Sequence, residues 1–149
     1  VEPNVRVTFA SNPCRIQFFS KEVVLFREDL LGKVRRHCLH EPTADEPAEK
    51  HLCRTIVEQA HLCPLPTSIA PILFAHDSAL RLYPLPHAIF TGDSYDQYEC
   101  EHAGTSMANP GSFALDASFI MYLPASGDVQ FSRVPSPDHA GDEGMDESS

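Results

Sequence analysis

His37-Cys38-Leu39-His40, His51-Leu52-Cys53 and His61-Leu62-Cys63 repeat the two residue types that a structural zinc site prefers. None shows the Cys–Cys spacing of a zinc knuckle, and residues two apart on a helix point to different faces. They are expected to be packing cysteines beside surface histidines, with no metal and no cofactor. His76-Asp77-Ser78 holds the three residue types of a hydrolytic triad. A triad is made by convergence in space, which chain neighbours rarely achieve, so a polar turn is expected. Arg27, Lys33, Arg35 and Arg36 form the one basic cluster. Such a cluster suits nucleic acid or an acidic partner, but a solvated helix face with its cations towards the C-terminal end of the dipole is the favoured reading. Ser136-Pro137 has the generic form of a phosphorylation site.

The elements that must carry these residues follow from periodicity. Val5 to Ala10 alternates apolar and polar residues as a half-buried strand would, and Ser11-Asn12-Pro13 stops it. Arg15–Phe19 and Glu22–Phe26 predict two more strands, hairpinned or adjacent, across Ser20-Lys21. Leu30, Leu31, Val34 and Cys38 then recur at helical spacing, with Glu28 and Asp29 in the first turn and Lys33, Arg35, Arg36 and His37 later. After the acidic connector 41–47, Leu52, Ile56, Val57 and Ala60 predict a second amphipathic helix of about three turns. Pro64 and Pro66 end it. Pro71–Ala75 reads as strand or irregular, Ser78–Tyr83 as a helical turn and His87–Thr91 as a short strand. Thr105–Ala108 leads into Asn109-Pro110-Gly111-Ser112, a turn chemistry expected to deliver the chain into a hairpin of Ser118–Leu123 and Asp128–Arg133. No internal repeat is present.

Composition narrows the classes. The chain has 149 residues, 42% of them hydrophobic, enough for one core. It opens at Val1 without an initiating Met and goes almost at once into strand pattern, which is read as a fragment of a longer protein. Neither an apolar run of about 20 residues nor a signal-type leader is found, so a membrane role is not expected. Five scattered cysteines fit free thiols in a reducing compartment, cytosol or nucleus. Half of the net charge of −10 lies after Val134, in Asp138, Asp142, Glu143, Asp146 and Glu147. That segment is too poor in apolar residues to offset its ordering entropy and is expected to be disordered. The remaining body is still acidic and does not attract a phosphate backbone over long range.

Several motifs occur together in order: Ser11-Asn12-Pro13-Cys14-Arg15-Ile16, Phe26-Arg27-Glu28-Asp29-Leu30-Leu31, His61-Leu62-Cys63-Pro64-Leu65-Pro66, Ala79-Leu80-Arg81-Leu82-Tyr83-Pro84-Leu85-Pro86, Gly92-Asp93-Ser94-Tyr95-Asp96 and Asn109-Pro110-Gly111-Ser112-Phe113. The set resembles the B-subunits of replicative DNA polymerases, above all the epsilon members, over roughly Val5 to Arg133. The resemblance implies an α/β fold, the C-terminal half of a calcineurin-like phosphoesterase sandwich, with residues 1–134 in that domain and 135–149 as an acidic tail.

Active members of that wider fold hold two metals, with two ligands from a Gly-His-x-His turn. Here the turn reads Gly92-Asp93-Ser94-Tyr95, and both histidine positions are replaced. Tyr, titrating near about 10, is a poor ligand at neutral pH. Phe26-Arg27 stands where a further metal-binding His is expected, and a guanidinium cannot ligate a cation. A two-metal centre needs several ligands per ion. The expectation is therefore a catalytically degenerate, non-enzymatic scaffold subunit of the polymerase epsilon complex in nuclear DNA replication, with no catalytic, cofactor or metal residues. The resemblance implies as partners the catalytic subunit, through its C-terminal region, and other replisome proteins, with DNA reached through the complex. The rivals are an active metal-dependent phosphodiesterase or exonuclease, and a B-subunit of polymerase alpha or delta.

Overall fold

A computed structural model describes residues 6–135. The elements run β1 (Cys14–Phe18), β2 (Lys21–Phe26), α1 (Leu30–His37), α2 (Ala48–Gln59), a 3₁₀ segment (Phe74–Leu80), β3 (Ala88–Thr91), β4 (Tyr98–His102), β5 (Thr105–Asn109), a single turn α3 (Phe113–Asp116), β6 (Ser118–Leu123) and β7 (Asp128–Arg133). Strands β1 to β5 form one sheet in the order β1-β2-β3-β5-β4, while β6 and β7 form a separate hairpin. The central pairs β2–β3 and β3–β5 are parallel, and the two edges are antiparallel.

Period-two alternation on the parallel strands divides the side chains between two faces. Val24, Phe26, Ile89 and Met107 point to the layer of α1 and α2, where Leu30, Leu31, Val34, Leu52, Cys53, Ile56, Val57, Leu62 and Leu82 complete the larger core. Val23, Ala88, Phe90 and Ala108 point the other way and pack on Ile120, Tyr122 and Val129 of the β6–β7 hairpin. Because parallel strands are buried on both faces, β3 reads as an apolar run, Ala88-Ile89-Phe90, closed by Thr91 rather than as an alternation, and all four of its residues are buried.

Most expected elements form, with physically instructive departures. Arg6 to Ala10, the described part of the first predicted strand, is not a strand: Phe9 is 97% exposed and Val7 71% exposed. Its alternation suits a ladder, but among the described residues β1 pairs only with β2 and no strand lies alongside this segment. Glu28 and Asp29 precede α1 rather than filling its first turn, and Cys38 is its extended C-cap. Ala60 is likewise a left-handed C-cap, with φ 50°, rather than a core position of α2. The irregular stretch before residue 74 passes into a 3₁₀ turn that begins earlier than expected, at Phe74. Asn109-Pro110-Gly111-Ser112 does not lead straight into the hairpin, since α3 intervenes. Strand β4 has no counterpart among the elements expected from periodicity. The predicted tail, 135–149, lies outside the described residues apart from Pro135.

Candidate functional site

In a parallel sheet with helices packed on it, the carboxyl ends of the strands are where ligand-binding loops converge. Here β2 ends at Phe26, β3 at Thr91 and β5 at Asn109, so Arg27, Gly92-Asp93 and Pro110 meet at one edge. The sequence-selected Gly92-Asp93-Ser94-Tyr95 turn is thus placed beside Arg27. Strand β3 delivers the turn, and the Gly92 N–H donates to the Phe26 carbonyl at 2.9 Å. Gly92 lets the turn approach Arg27 closely: a Cβ there would sit 3.3 Å from Arg27 Cγ and 3.4 Å from its Cα.

Asp93 and Tyr95 of the turn both make contacts within the fold. Asp93 is buried, and its Oδ2 accepts the N–H groups of Leu30 at 3.0 Å and Leu31 at 2.9 Å. These are first-turn donors of α1, which its own cap residue Asp29 leaves unmet by side chain. Asp93 therefore caps α1 from some 60 residues downstream, and a carboxyl at that end also complements the helix dipole. Its Oδ1 is buried with no hydrogen-bond partner among the described residues. Burial pushes the Asp93 carboxyl above the usual carboxylate range, and the adjacent Asp29 carboxyl reinforces the shift.

Asn109 holds the turn from beneath. Its Oδ1 accepts the Asp93 N–H at 3.0 Å, and its Nδ2 donates to the carbonyls of Tyr95 at 2.8 Å and Asp96 at 3.1 Å. Asn109 is fully buried and its bond to the Asp93 N–H is made away from water, while those to Tyr95 and Asp96 are partly buried. Asn12 does the same for the neighbouring loop: Arg27 N–H donates to its Oδ1 at 2.8 Å, and its Nδ2 donates to the Arg27 carbonyl at 2.9 Å. Tyr95 leaves this edge and lies on α1, its ring 3.6 Å from where a Cβ on Gly32 would stand. The turn ties β3, β5 and α1 together.

Could these residues hold a metal? Asp93 Oδ2 is spent on two amide donors, Tyr95 packs on a helix, and Arg27 brings a cation. Among the described residues no three His, Cys, Asp or Glu side chains are grouped as a metal would require. The donor set does not fit a two-metal centre.

The remaining candidates are dispersed. His37, Cys38, His40 and His51 line one cavity of about 560 Å³. His51 is instead engaged with Glu46 at 3.6 Å and Arg54 at 3.2 Å. His61 accepts the Cys63 N–H through Nδ1 and pairs through Nε2 with Asp77 at 3.3 Å. Asp77 also binds the Arg81 guanidinium at 2.8 and 3.0 Å, which holds its carboxyl below the usual range, so His76-Asp77-Ser78 is a fragment of an ion-pair turn. Cys100 Sγ of β4 donates to the carbonyls of Glu49 at 3.5 Å and Met107 at 3.7 Å, and the mutual influence of the neighbouring Cys53 and Cys100 thiols lowers that of Cys53 and raises that of Cys100. All five cysteines are free. Arg35 and Arg36 are exposed at the end of α1, while Lys33 pairs with Glu28.

Sequence reasoning treats Asn109 as turn architecture and does not single out the Asn12 clamp. The signal for both is a pair of Asn-Pro steps flanking strands, since a short amide side chain readily satisfies nearby backbone groups.

Comparison with known proteins bears on the same loops. The family model for the B-subunits of DNA polymerases alpha and epsilon matches residues 1–100. The B-subunit of DNA polymerase epsilon from Arabidopsis thaliana is 48% identical over 128 residues, covering 85% of this chain and 24% of that protein. The probable DNA polymerase epsilon subunit 2 of Caenorhabditis elegans is 40% identical over 138 residues, 91% of this chain and 26% of that protein. The human DNA polymerase epsilon subunit 2 is 38% identical over 127 residues, 85% of this chain and 24% of that protein. The chain spans about a quarter of the length of these relatives. With a family match across two central strands, both helices and the Gly92 turn, and with its curated relatives bearing epsilon names, this chain belongs to the alpha/epsilon family of DNA polymerase B-subunits.

Proposed function

We propose that this segment is part of a non-catalytic accessory subunit of the DNA polymerase epsilon complex, acting in nuclear DNA replication by holding the C-terminal region of the catalytic subunit. Residues 1–134 form the C-terminal part of its phosphoesterase-like domain, and DNA is reached through the complex. The epsilon naming of the relatives supports the partner. The observation that carries the absence of catalysis is the pair of hydrogen bonds that the Leu30 and Leu31 N–H groups donate to Asp93 Oδ2, which makes a helix cap of a position that would otherwise hold a ligand. Arg27 at the adjoining strand end supports the same reading, because a guanidinium placed there repels a cation.

Two measurements on the full-length protein test it. Co-purification with the catalytic subunit is expected, and its failure would remove the proposed partner. Incubation with a phosphodiester substrate and Mn²⁺ is expected to give no hydrolysis above a metal-free control; turnover lost with Asp93→Asn would restore the enzymatic reading.

A further inference from the structure

Away from the Asp93 edge, α2 and β4 bring two thiols together. Helix α2 packs on β4, and each contributes a cysteine to the contact: Cys53 is wholly buried in the larger core, while Cys100 is half-buried and packs against the same cluster. Cys100 Sγ donates to the Glu49 carbonyl at 3.5 Å. In an α-helix that carbonyl is also the acceptor of the Cys53 N–H, one turn further on. Both cysteines therefore address one backbone oxygen, and their sulfurs are neighbours across the helix–strand contact. A second bond, from Cys100 Sγ to the Met107 carbonyl at 3.7 Å, holds the thiol against its cross-strand partner on β5.

We propose that Cys53 and Cys100 form a dithiol site that a peroxide oxidises reversibly to a disulfide, stapling α2 to β4. The accessible sulfur reacts first. Cys100, losing its proton, attacks one oxygen of hydrogen peroxide; the O–O bond breaks, the sulfur becomes a sulfenic acid, and the departing oxygen takes up the proton and leaves as water. The Cys53 sulfur then attacks the sulfenic sulfur, the S–O bond breaks, and the second oxygen leaves as water with the Cys53 proton. Two thiols give up two electrons, and one peroxide becomes two waters. A small-molecule thiol reverses the bond by exchange.

The surroundings set the pace of the two steps. The neighbouring Cys53, and then burial, hold the Cys100 thiol above its ordinary value, so the sulfur that the oxidant meets is mostly protonated and slow to attack. Cys100 in turn holds the Cys53 thiol below its ordinary value, which favours closure once the sulfenic acid has formed. Such a pair answers sustained oxidation and does not consume peroxide as an enzyme would. Its bond closes a long loop that carries the 3₁₀ segment, β3 and the Gly92 turn, and it pins the edge strand β4, whose ladder partner is β5, to the helix layer.

The test exposes reduced full-length protein, under native conditions, to hydrogen peroxide, then blocks the remaining thiols and maps the digest by mass spectrometry. The expected product is a peptide pair joined through Cys53 and Cys100, lighter by two hydrogens than the reduced pair and separated again by dithiothreitol. Cys53→Ala and Cys100→Ala should each abolish it, and Cys38→Ala should not. Hydrogen exchange along β4 should slow at least about fivefold in the oxidised protein. Recovery of Cys53 and Cys100 as free thiols after Cys38 has been oxidised overturns the proposal. So does their conversion to sulfinic or sulfonic acids without the link, or a link that forms only in denaturant. The mapping is made on the unsubstituted protein, so a variant that does not fold still leaves the outcome decided.

Discussion

The side chain of Asn109 accepts the backbone proton of Asp93 at 3.0 Å, so the last residue of β5 fixes the turn leaving β3. Asp93 in turn fixes α1. One relay of three elements thus rests on two short polar side chains, and most of what can be tested about this edge follows from it.

Asp93→Ala is expected to destabilise the protein by about 2–3 kcal/mol, since in a buried setting it takes the side-chain acceptor from the Leu31 N–H and leaves the Leu30 N–H with only the Glu28 carbonyl at 3.1 Å. Asp93→Asn keeps one side-chain oxygen and should cost only about 1 kcal/mol. Urea denaturation of both variants checks the order.

The same residue gives a pH signature of unusual sign. Its folded-state titration lies above that of an unfolded aspartate, so the native state holds the proton longer. Its contribution is therefore fully present below about pH 3.9, the unfolded value, and is lost as pH rises through the folded value. The stability of the unsubstituted protein relative to Asp93→Asn should decline from about pH 4 upwards and then level. A relative gain over that window contradicts the assignment.

Asn109→Leu, similar in volume, strands the Asp93 N–H and the carbonyls of Tyr95 and Asp96. A loss of about 2–4 kcal/mol is expected. Asn109→Asp should also be harmful, because it removes both amide donors and brings a further carboxylate against the buried Asp93. Hydrogen exchange at the Asp93 amide should accelerate in both.

Gly111 has φ +77°, and a Cβ there would lie 2.7 Å from the buried Ser118 Oγ and 3.1 Å from Gln97 Cγ. Gly111→Ala therefore combines left-handed strain with a clash, for an expected loss of about 2–3 kcal/mol in thermal or urea unfolding. Gly127→Ala, whose Cβ meets nothing within 4 Å at φ +89°, should cost only about 1 kcal/mol and separates strain from crowding.

The helices and the last hairpin are legible in the sequence because their burial follows a local period: Leu30, Leu31 and Val34 on α1, and Leu52, Ile56 and Val57 on α2, all face the sheet. The Gly92 turn and its neighbour Arg27 are legible through residue type at strand ends. What Asp93 does there is not, because its partners lie 62 and 63 residues away and no local pattern encodes such a bond. Strand β4 escapes for the opposite reason. Its Glu99 and Glu101 face out while Tyr98 and Cys100 face α2, and a charged edge strand looks like loop when its helix cover is unknown. The Arg6–Ala10 alternation shows that a strand pattern states a capacity, which only a neighbouring ladder realises.

The parallel pairing of β2 with β3 reaches into biosynthesis. Val23 must find Ala88, which leaves the ribosome 65 residues later. At roughly 5–20 residues per second, β2 waits about 3–13 s for its partner. During that interval α1 and α2 emerge and can begin to cover Val24 and Phe26, but the β1–β2 hairpin still presents Val23 and an open edge of β2 with no β3 beside it. The nascent chain therefore passes through a stage in which chaperone engagement is most needed, and that stage ends only when the strand leading to Gly92 has emerged.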